Sequence, residues 1–294
     1  MKGIILAGGK GTRLQPLTIG LSKQLLPVYN KPMIYYPLSI LMLSEITEIL
    51  IISTPEHINL YKDLLGDGKH LGIKLSYAIQ KSPKGLAEAF IIGKDFVGSE
   101  NVALILGDNI FHSEGLISIL KNSITDAKST KSSNIFGFKV SQPKNFGVVE
   151  CNKENKIISI EEKPKNPKSD IAIVGLYIFP SDVVEIAQKI EPSQRGELEI
   201  TSILDYYLKN DRIKLNLLGR GFSWFDTGTH KSLLEASNFI STIEGIHGKM
   251  VGCIEEISYQ NGWITSKKLK EIAKRFPNEY GKYLLSLTKS LSKK

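Results

Sequence analysis

A glycine-rich stretch directly after an apolar run is the first segment of this sequence that could carry out chemistry. The stretch "LAGGKGTRLQPLT" (residues 6–18) contains three glycines and Arg13, and it continues "GIILA", a run typical of a strand buried on both faces. Backbone N–H groups in a glycine turn can approach an anion closely. The Arg13 guanidinium adds a fixed fork of donors suited to phosphate oxygens. The stretch therefore predicts a phosphate-binding loop at the end of a strand.

The two commonest phosphate-binding loops do not fit this stretch. A P-loop requires Gly-Lys followed by Ser or Thr, whereas Lys10 is followed here by Gly11. The dinucleotide fingerprint requires a third glycine for close helix–strand packing, and Leu14 stands at that position. An NAD-binding oxidoreductase is therefore disfavoured.

Two aspartates lie where ligands bind in open α/β sheets, outside the carboxyl ends of strands. Asp108 follows the apolar run 102–106 in "LGDN", and Asp226 lies in "FSWFDTGTH", before a helix predicted to start near Thr229. Magnesium on nucleotide phosphates usually takes one or two carboxylates together with phosphate oxygens. The pair fits a magnesium site if the fold brings the two side chains together, although an Asp after a strand also serves often as a helix cap.

Further polar residues remain open to two interpretations. Lys23, Lys163 and Arg195 could bind phosphate, but isolated cations are usually surface residues. Strand alternation puts Glu162 and Lys163 on opposite faces unless the proline turn that follows brings them together. Gln80 ends the run "LSYAIQ"; its amide could pair with the imide edge of a pyrimidine, or it could be an exposed residue before a turn.

The bulk composition restricts the class of protein. The chain has 294 residues and a net charge of +8, but the segment 249–294 alone has ten Lys/Arg against four Glu. The remainder is nearly balanced, so the charge does not indicate a nucleic-acid partner. No apolar run is long enough to span a membrane. Cys151 and Cys253 suit neither a disulfide framework nor a metal site, which favours a cytoplasmic location.

The order of elements predicts an α/β fold with a Rossmann-like, mixed and mostly parallel central sheet flanked by helices. In the first half, strands are predicted at 48–53, 74–79 and 102–107, with helices at 57–65 and 84–96. From about residue 133 the strands "NIFGFKV", "FGVVEC", "KIISIEEK" and "IAIVGLYIF" indicate a smaller sheet-rich portion. The tail segments "SKKLKEIAKRF" and "YGKYLLSLTKSL" have helical spacing, with apolar stripes at Ile264, Leu269, Ile272, Phe276, Tyr283, Leu284, Leu287 and Leu291.

Longer motifs extend this interpretation, because the chain resembles the sugar nucleotidyltransferases and, among them, the glucose-1-phosphate thymidylyltransferases. The similar stretches are "KGIILAGGKGTRLQPLT", "SKQLLPVYNKPMIYYPLSILML", "LGDN", "FGVVE", "EEKP", "GLYIF", "RGELEIT" and "WFDTGTH". The resemblance implies transfer of a nucleotidyl group from dTTP to α-D-glucose 1-phosphate with Mg²⁺, as a first step toward deoxysugars of the dTDP-rhamnose type. It also implies a catalytic domain at 1–248, with a nucleotide-binding portion at about 1–130 and a sugar-phosphate-binding portion at about 131–228, followed by the segment 249–294.

The resemblance also implies roles for individual residues. Arg13, Lys23 and Lys163 would be catalytic, and Asp108 and Asp226 would hold Mg²⁺. The nucleotide would contact Leu6, Gly8, Gly9, Gly11, Thr12, Gln80, Pro83 and Gly85. The glucose ring would contact Gly147, Glu162, Ile173 and Trp224. Phe146 and Ile173 depart from the family, which commonly has Tyr and Val at these positions.

The same resemblance implies partners and leaves alternatives open. It implies a homotetramer arranged as a dimer of dimers and feedback by dTDP-rhamnose, whereas the tail stripes could equally pack on the chain's own body. Gln80 cannot separate thymine from uracil, because their imide edges are the same. UTP, another hexose 1-phosphate, or a non-catalytic sugar-nucleotide-binding regulatory subunit therefore remain alternatives.

Overall fold

The computed structural model describes residues 1–154 and 156–290. Its strands are β1 (Lys2–Ala7), β2 (Pro27–Val28), β3 (Lys31–Pro32), β4 (Glu48–Ser53), β5 (Lys74–Ile79), β6 (Val102–Leu106), β7 (Asn109–His112), β8 (Ser133–Lys139), β9 (Gly147–Cys151), β10 (Ile157–Glu162), β11 (Ile171–Phe179), β12 (Ile213–Leu218) and β13 (Ser223–Asp226). Its α-helices are α1 (Tyr35–Leu43), α2 (Ile58–Leu65), α3 (Glu88–Ile92), α4 (Lys94–Val97), α5 (Leu116–Thr130), α6 (Val183–Ala187), α7 (Ile200–Lys209), α8 (His230–His247), α9 (Ile254–Gln260), α10 (Ser266–Ala273) and α11 (Glu279–Ser290). None of these helices is both long and apolar enough to cross a membrane.

A nine-stranded sheet forms the centre of the molecule. Along it the strands follow the order β10-β9-β11-β6-β1-β4-β5, and β8 pairs with both β11 and β12. The strands run in one direction except β10 and β11. The Ile, Leu and Val side chains of β1, β4 and β6 are buried, except the partly buried Leu106, since helices cover both faces. The predicted α/β class with a mostly parallel sheet is confirmed.

Most predicted element boundaries agree with the structure. The strands predicted at 48–53 and 74–79 match β4 and β5, and the strand predicted at 102–107 ends at Leu106. The helix predicted at 84–96 was wrong at its start and is divided, since α3 begins at Glu88 and α4 follows Gly93. The backbone of Lys84 and Ala87 instead makes hydrogen bonds to Leu198. Strands β8 to β11 extend the central sheet and do not form a second one.

The strands β7 and β13 form a separate antiparallel ribbon beside the carboxyl ends of β1 and β6. Its register pairs Asp226 with Asn109, which directly follows Asp108. Helix α8 follows the ribbon and is capped by Thr229, whose hydroxyl accepts a hydrogen bond from the Ser232 amide. The helix start predicted near Thr229 is therefore confirmed.

The C-terminal segment packs on the body of the protein and on itself. Ile254 and Ile257 of α9, a helix that the sequence patterns had not indicated, join the core beneath α1. The predicted stripe residues Ile264, Leu269, Ile272 and Leu284 form a small buried cluster, and Phe276, Tyr283 and Leu287 pack against it. Leu291, the last predicted member of the stripe, lies outside the described residues. The stripes therefore find apolar partners within their own chain.

Candidate active site

A cleft of about 920 Å³ opens at the carboxyl ends of the parallel strands. A volume of this size is typical of a site for small molecules. The residues predicted from the sequence that line it are Leu6, Gly8, Gly9, Thr12, Arg13, Gln80, Pro83, Gly85, Asp108, Gly147, Glu162, Lys163, Ile173, Trp224 and Asp226. Gly11 and Lys23 line a smaller cavity that shares the glycine loop and Asp108 with the cleft. The structure thus brings all the predicted site residues to one region.

The glycine loop turns sharply between β1 and a 3₁₀ turn at Thr12–Leu14. Gly9 and Gly11 have φ values of 99° and 59°, in the left-handed region that side chains disfavour. The Gly11 carbonyl accepts a hydrogen bond from the Thr18 hydroxyl (2.7 Å), which fixes the far side of the loop. The Arg13 side chain is exposed and lies against Gly228, where an added Cβ would be 2.9 Å from a guanidinium nitrogen. Arg13 therefore spans from the loop to the segment that bears Asp226.

The two aspartates, which are far apart in the sequence, meet because the β7–β13 ribbon joins their segments. The Thr227 amide and hydroxyl both donate to the Asp108 carbonyl, at 3.2 and 2.8 Å. Between the carboxylates lies the buried Lys23 ammonium, 2.5 Å from Asp108 Oδ2 and 4.0 Å from Asp226 Oδ1. One cation thus faces two carboxylates.

The electrostatics of the two aspartates differ. Burial by itself raises the pKa of Asp108, but the charge and hydrogen bond of Lys23 turn the net shift downward. Burial and the neighbouring Asp108 charge raise the pKa of Asp226, against the smaller effects of Lys23 and Arg13. The site therefore has more negative charge than Lys23 offsets.

The donor chemistry of this pair fits a divalent cation. The described residues contain no group of three or more His, Cys, Asp or Glu side chains arranged for a metal ion. A cation held by Asp108 and Asp226 would therefore complete its coordination with phosphate or water oxygens, as Mg²⁺ commonly does.

Asn109 is a site residue that the sequence patterns did not reveal. Its Nδ2 donates to Asp108 Oδ1 at 2.9 Å, while its Oδ1 accepts from Trp224 Nε1 at 2.6 Å and from the Gly175 amide at 3.1 Å. This buried amide fixes the Asp108 carboxylate and the Trp224 indole together. Its place in the motif "LGDN", directly after Asp108, was the sequence signal for it.

The loop after β5 forms another part of the cleft wall. Gln80 is buried, and an added Cβ at Gly8 would lie 2.5 Å from its Oε1, so the two residues are in close contact. Gly85 has a φ of 108° and is pressed on the Leu198 backbone, where an added Cβ would lie 2.3 Å from the carbonyl oxygen. The Leu198 amide donates to the Lys84 carbonyl (2.7 Å), and its own carbonyl accepts from Ala87 (3.1 Å). This Leu198 contact joins the loop to the segment before α7.

Glu162 and Lys163 lie at the sugar-phosphate end predicted for the cleft. Lys163 has a φ of 43°, and this left-handed residue lets its ammonium reach 3.8 Å from Glu162 Oε1 although a regular strand would separate the two. Burial raises the pKa of Glu162, and so does the nearby charge of Glu199. Trp224 packs against Phe146, with ring centroids 5.2 Å apart, and forms an aromatic wall of the cleft.

Arg195, which the sequence left open between a phosphate-binding cation and a surface residue, also lines the cleft, and so does Gln24, which the sequence patterns did not indicate. The Arg195 guanidinium lies 3.2 Å from Glu199 Oε1, 3.4 Å from Glu197 Oε1 and 3.7 Å from Glu162 Oε1, so three carboxylates surround it. Gln24 Nε2 donates to the Gly8 carbonyl at 3.4 Å, behind the glycine loop. The motif "RGELEIT" was the signal for Arg195, but its glutamate partners are identified only by the fold.

Comparison with known proteins gives a consistent result. A family model described as nucleotidyl transferase matches residues 2–243. A glucose-1-phosphate thymidylyltransferase of Neisseria meningitidis serogroup A is 52% identical over 98% of this chain and 100% of its own length, and one of Mycobacterium tuberculosis is 48% identical over 98% and 99%.

Solved structures agree with these relatives. The crystal structure of a putative glucose-1-phosphate thymidylyltransferase from Bacillus anthracis in complex with a sucrose has a TM-score of 0.74 and 40% identity, covering 81% of this chain and 94% of that one. A UDP-glucose pyrophosphorylase complexed with UDP-glucose has a TM-score of 0.72 and 27% identity, covering 82% and 98%.

Proposed function

We propose that this chain converts dTTP and α-D-glucose 1-phosphate into dTDP-glucose and pyrophosphate. The chain belongs to the nucleotidyl transferase family and, within it, to the glucose-1-phosphate thymidylyltransferases. The main structural support is the arrangement of the cleft. Lys23, Asp108 and Asp226 form one charged group beside the glycine loop, and the cations Lys163 and Arg195 line the same cleft as the two aspartates. A glycine loop, a pair of carboxylates that could hold a cation and two further cations in one region suit a reaction between a triphosphate and a sugar phosphate.

The reaction is an in-line attack, in which a phosphate oxygen of glucose 1-phosphate attacks the α-phosphorus of dTTP. The new P–O bond forms as the bond to pyrophosphate breaks, so catalysis depends on positioning and charge neutralisation. Lys163 and Arg195 hold the attacking phosphate, and Lys23 lies where the phosphates meet. Arg13 binds the departing pyrophosphate, on which charge accumulates in the transition state.

Asp108 and Asp226 would hold Mg²⁺, which supplies positive charge to the phosphate oxygens when bound. Their two carboxylates and the excess of negative charge between them support this assignment. Asn109 and Thr227 keep the two segments in place through their hydrogen bonds around Asp108.

Recognition of the two substrates occurs at opposite ends of the cleft. Leu6, Pro83 and the backbone at Gly85 contact the thymine base, which Gln80 reads with its amide, while Gly8, Gly9, Gly11 and Thr12 contact the phosphates. Gly147, Glu162, Ile173 and Trp224 contact the glucose ring. Residues 1–130 thus bind mainly the nucleotide and 131–228 mainly the sugar phosphate, although both portions share one sheet.

We further propose a cytoplasmic homotetramer, arranged as a dimer of dimers, that responds to dTDP-rhamnose and supplies a dTDP-deoxysugar pathway. Cys151 and Cys253 are free cysteines, which is consistent with a reducing compartment. The basic segment 249–294 offers charge to a diphosphate effector. Light scattering of the full chain tests the oligomer, and non-competitive inhibition by dTDP-rhamnose tests the effector.

Pyrophosphate release, measured over a grid of dTTP, UTP, dCTP and ATP against glucose and galactose 1-phosphates, tests the main proposal. We expect the highest kcat/KM for dTTP with glucose 1-phosphate, lower values for UTP, and little turnover of ATP. Arg13→Lys should lower kcat, because a point charge cannot replace a bidentate fork. Equal turnover of ATP and dTTP would contradict the assignment, and absence of turnover with every pair would favour a regulatory binding protein.

A further inference from the structure

Glu88, a half-buried residue in the first turn of α3, contacts Gln80 from the side away from Gly8. Its Oε2 accepts a hydrogen bond from Gln80 Nε2 at 2.7 Å, and the side-chain oxygen of Gln80, Oε1, lies toward Gly8. Gln80 itself is only 3% exposed. Nothing in the proposed reaction uses Glu88, and it does not line the cleft.

The chemistry of this contact fixes which way the Gln80 amide faces. An ionised carboxylate only accepts hydrogen bonds, so the amide nitrogen, which has two hydrogens, must face Glu88. The amide oxygen must then face Gly8. The orientation of the amide therefore follows from donor and acceptor rules alone.

The direction of the amide decides which pyrimidine edge it can pair with. Thymine and uracil have an N3–H donor beside a carbonyl acceptor, whereas cytosine has an N3 acceptor beside an amino donor. In one base pose, an amide that presents oxygen to N3 and N–H to position 4 pairs with thymine or uracil. Rotation of the same amide by half a turn pairs it with cytosine instead.

We propose that Glu88 is a positioning residue for base specificity, which holds the Gln80 amide in the direction that selects an imide edge and rejects an aminopyrimidine. This inference rests on the proposed function, since it concerns the nucleotide end of that site. Glu88 does not touch the base and acts only through Gln80.

The test is the ratio of kcat/KM for dTTP to that for dCTP, measured on one enzyme preparation so that any loss of folded protein cancels. Glu88→Lys replaces an acceptor with a donor, so it should attract the Gln80 oxygen and lower the ratio by about tenfold or more. Glu88→Gln retains an accepting carbonyl oxygen, so its dTTP to dCTP ratio should remain close to that of the wild type. The dTTP to UTP ratio should remain unchanged in both, because the two imide edges are the same.

Asp95→Lys makes the same change of charge at an exposed position in α4 and serves as the control. A wild-type dTTP to dCTP ratio in Glu88→Lys would overturn the inference, as would an equal fall in the dTTP to UTP ratio or the same effect in the control. Wild-type enzyme that fails to use dTTP would instead overturn the proposed function, which makes the two failures distinguishable.

Discussion

The Lys23 ammonium lies 2.5 Å from Asp108 Oδ2, and it is nearly inaccessible to solvent. This ion pair connects the segment after the glycine loop with the end of β6. Asp226 lies farther from the same ammonium, at 4.0 Å. The two aspartates therefore have different relationships to the fold, although we propose one shared cation for them.

Asp108→Asn should reduce both turnover and stability. Removal of the Asp108 charge leaves the buried Lys23 without its closest partner, and the loss of one partner of a buried ion pair costs roughly 3–5 kcal/mol. Thermal melting without divalent cations should show a lower melting temperature, and pyrophosphate release at saturating Mg²⁺ should show little turnover. An unchanged melting temperature would mean that the ion pair contributes nothing to folding.

Asp226→Asn should reduce turnover without reducing stability. Burial and the Asp108 charge raise the pKa of Asp226, so ionisation of this carboxyl group costs more in the folded protein than in the unfolded chain. The neutral amide removes this repulsion, and the melting temperature at pH 7 should equal or exceed that of the wild type. A variant that retains most of its turnover at saturating Mg²⁺ would remove Asp226 from the cation site.

Gly85→Ala should weaken nucleotide binding more than backbone strain alone explains. The added methyl group would collide with the Leu198 carbonyl and displace the loop that follows Gln80. We expect KM for dTTP to rise by about tenfold or more, as is common when a positioning loop moves. Gly98→Ala is the matched control, because Gly98 also has a positive φ, but a Cβ added there would have no other atom within 4 Å. Equal effects of the two substitutions on KM would argue against a role for the Leu198 contact.

Glu255→Gln should stabilise the protein, and more so at higher pH. Burial raises the pKa of Glu255 above its usual value of 4.5, although the Tyr280 hydroxyl donates to it at 2.5 Å. A raised folded pKa means that the folded state keeps its proton longer, so wild-type stability falls as the pH rises from the unfolded pKa through the folded pKa. The gain in the variant should therefore be larger at pH 8 than at pH 5, reaching roughly 1–2 kcal/mol.

Melting curves at the two pH values, together with Glu271→Gln as an exposed control on α10, test this pH dependence. Stabilisation that is the same at both pH values, or that also appears in the control, would contradict the assigned cause.

The regular parts of the fold were predictable from local patterns. Continuous apolar runs such as 48–53 identify buried strands directly, because such strands need no polar face. The helix predicted over 84–96 does not include residues 84–87, and the cause is non-local. The hydrogen bonds of that segment go to Leu198, more than a hundred residues later. Helical spacing alone could not reveal that contact.

The candidate site was predictable as a set of residues but not as an arrangement. Asp108 and Asp226 were identified because each follows an apolar run, yet their proximity depends on the β7–β13 ribbon. Arg195 remained open between a phosphate-binding and a surface residue, because an exposed arginine acquires a direction only from its carboxylate partners. Asn109 resembled an ordinary strand residue, and its three hydrogen-bond partners come from different segments.

The β7–β13 ribbon also sets the order in which the protein can mature during synthesis. A nascent chain emerges from the ribosome with the glycine loop, Lys23 and Asp108 well before Ser223–Asp226 is translated. Until then β7 has no partner strand, and the Asp108 carbonyl has no hydrogen bonds from Thr227. The two carboxylates can therefore come together only late in translation, so truncated translation products would lack a complete cation site.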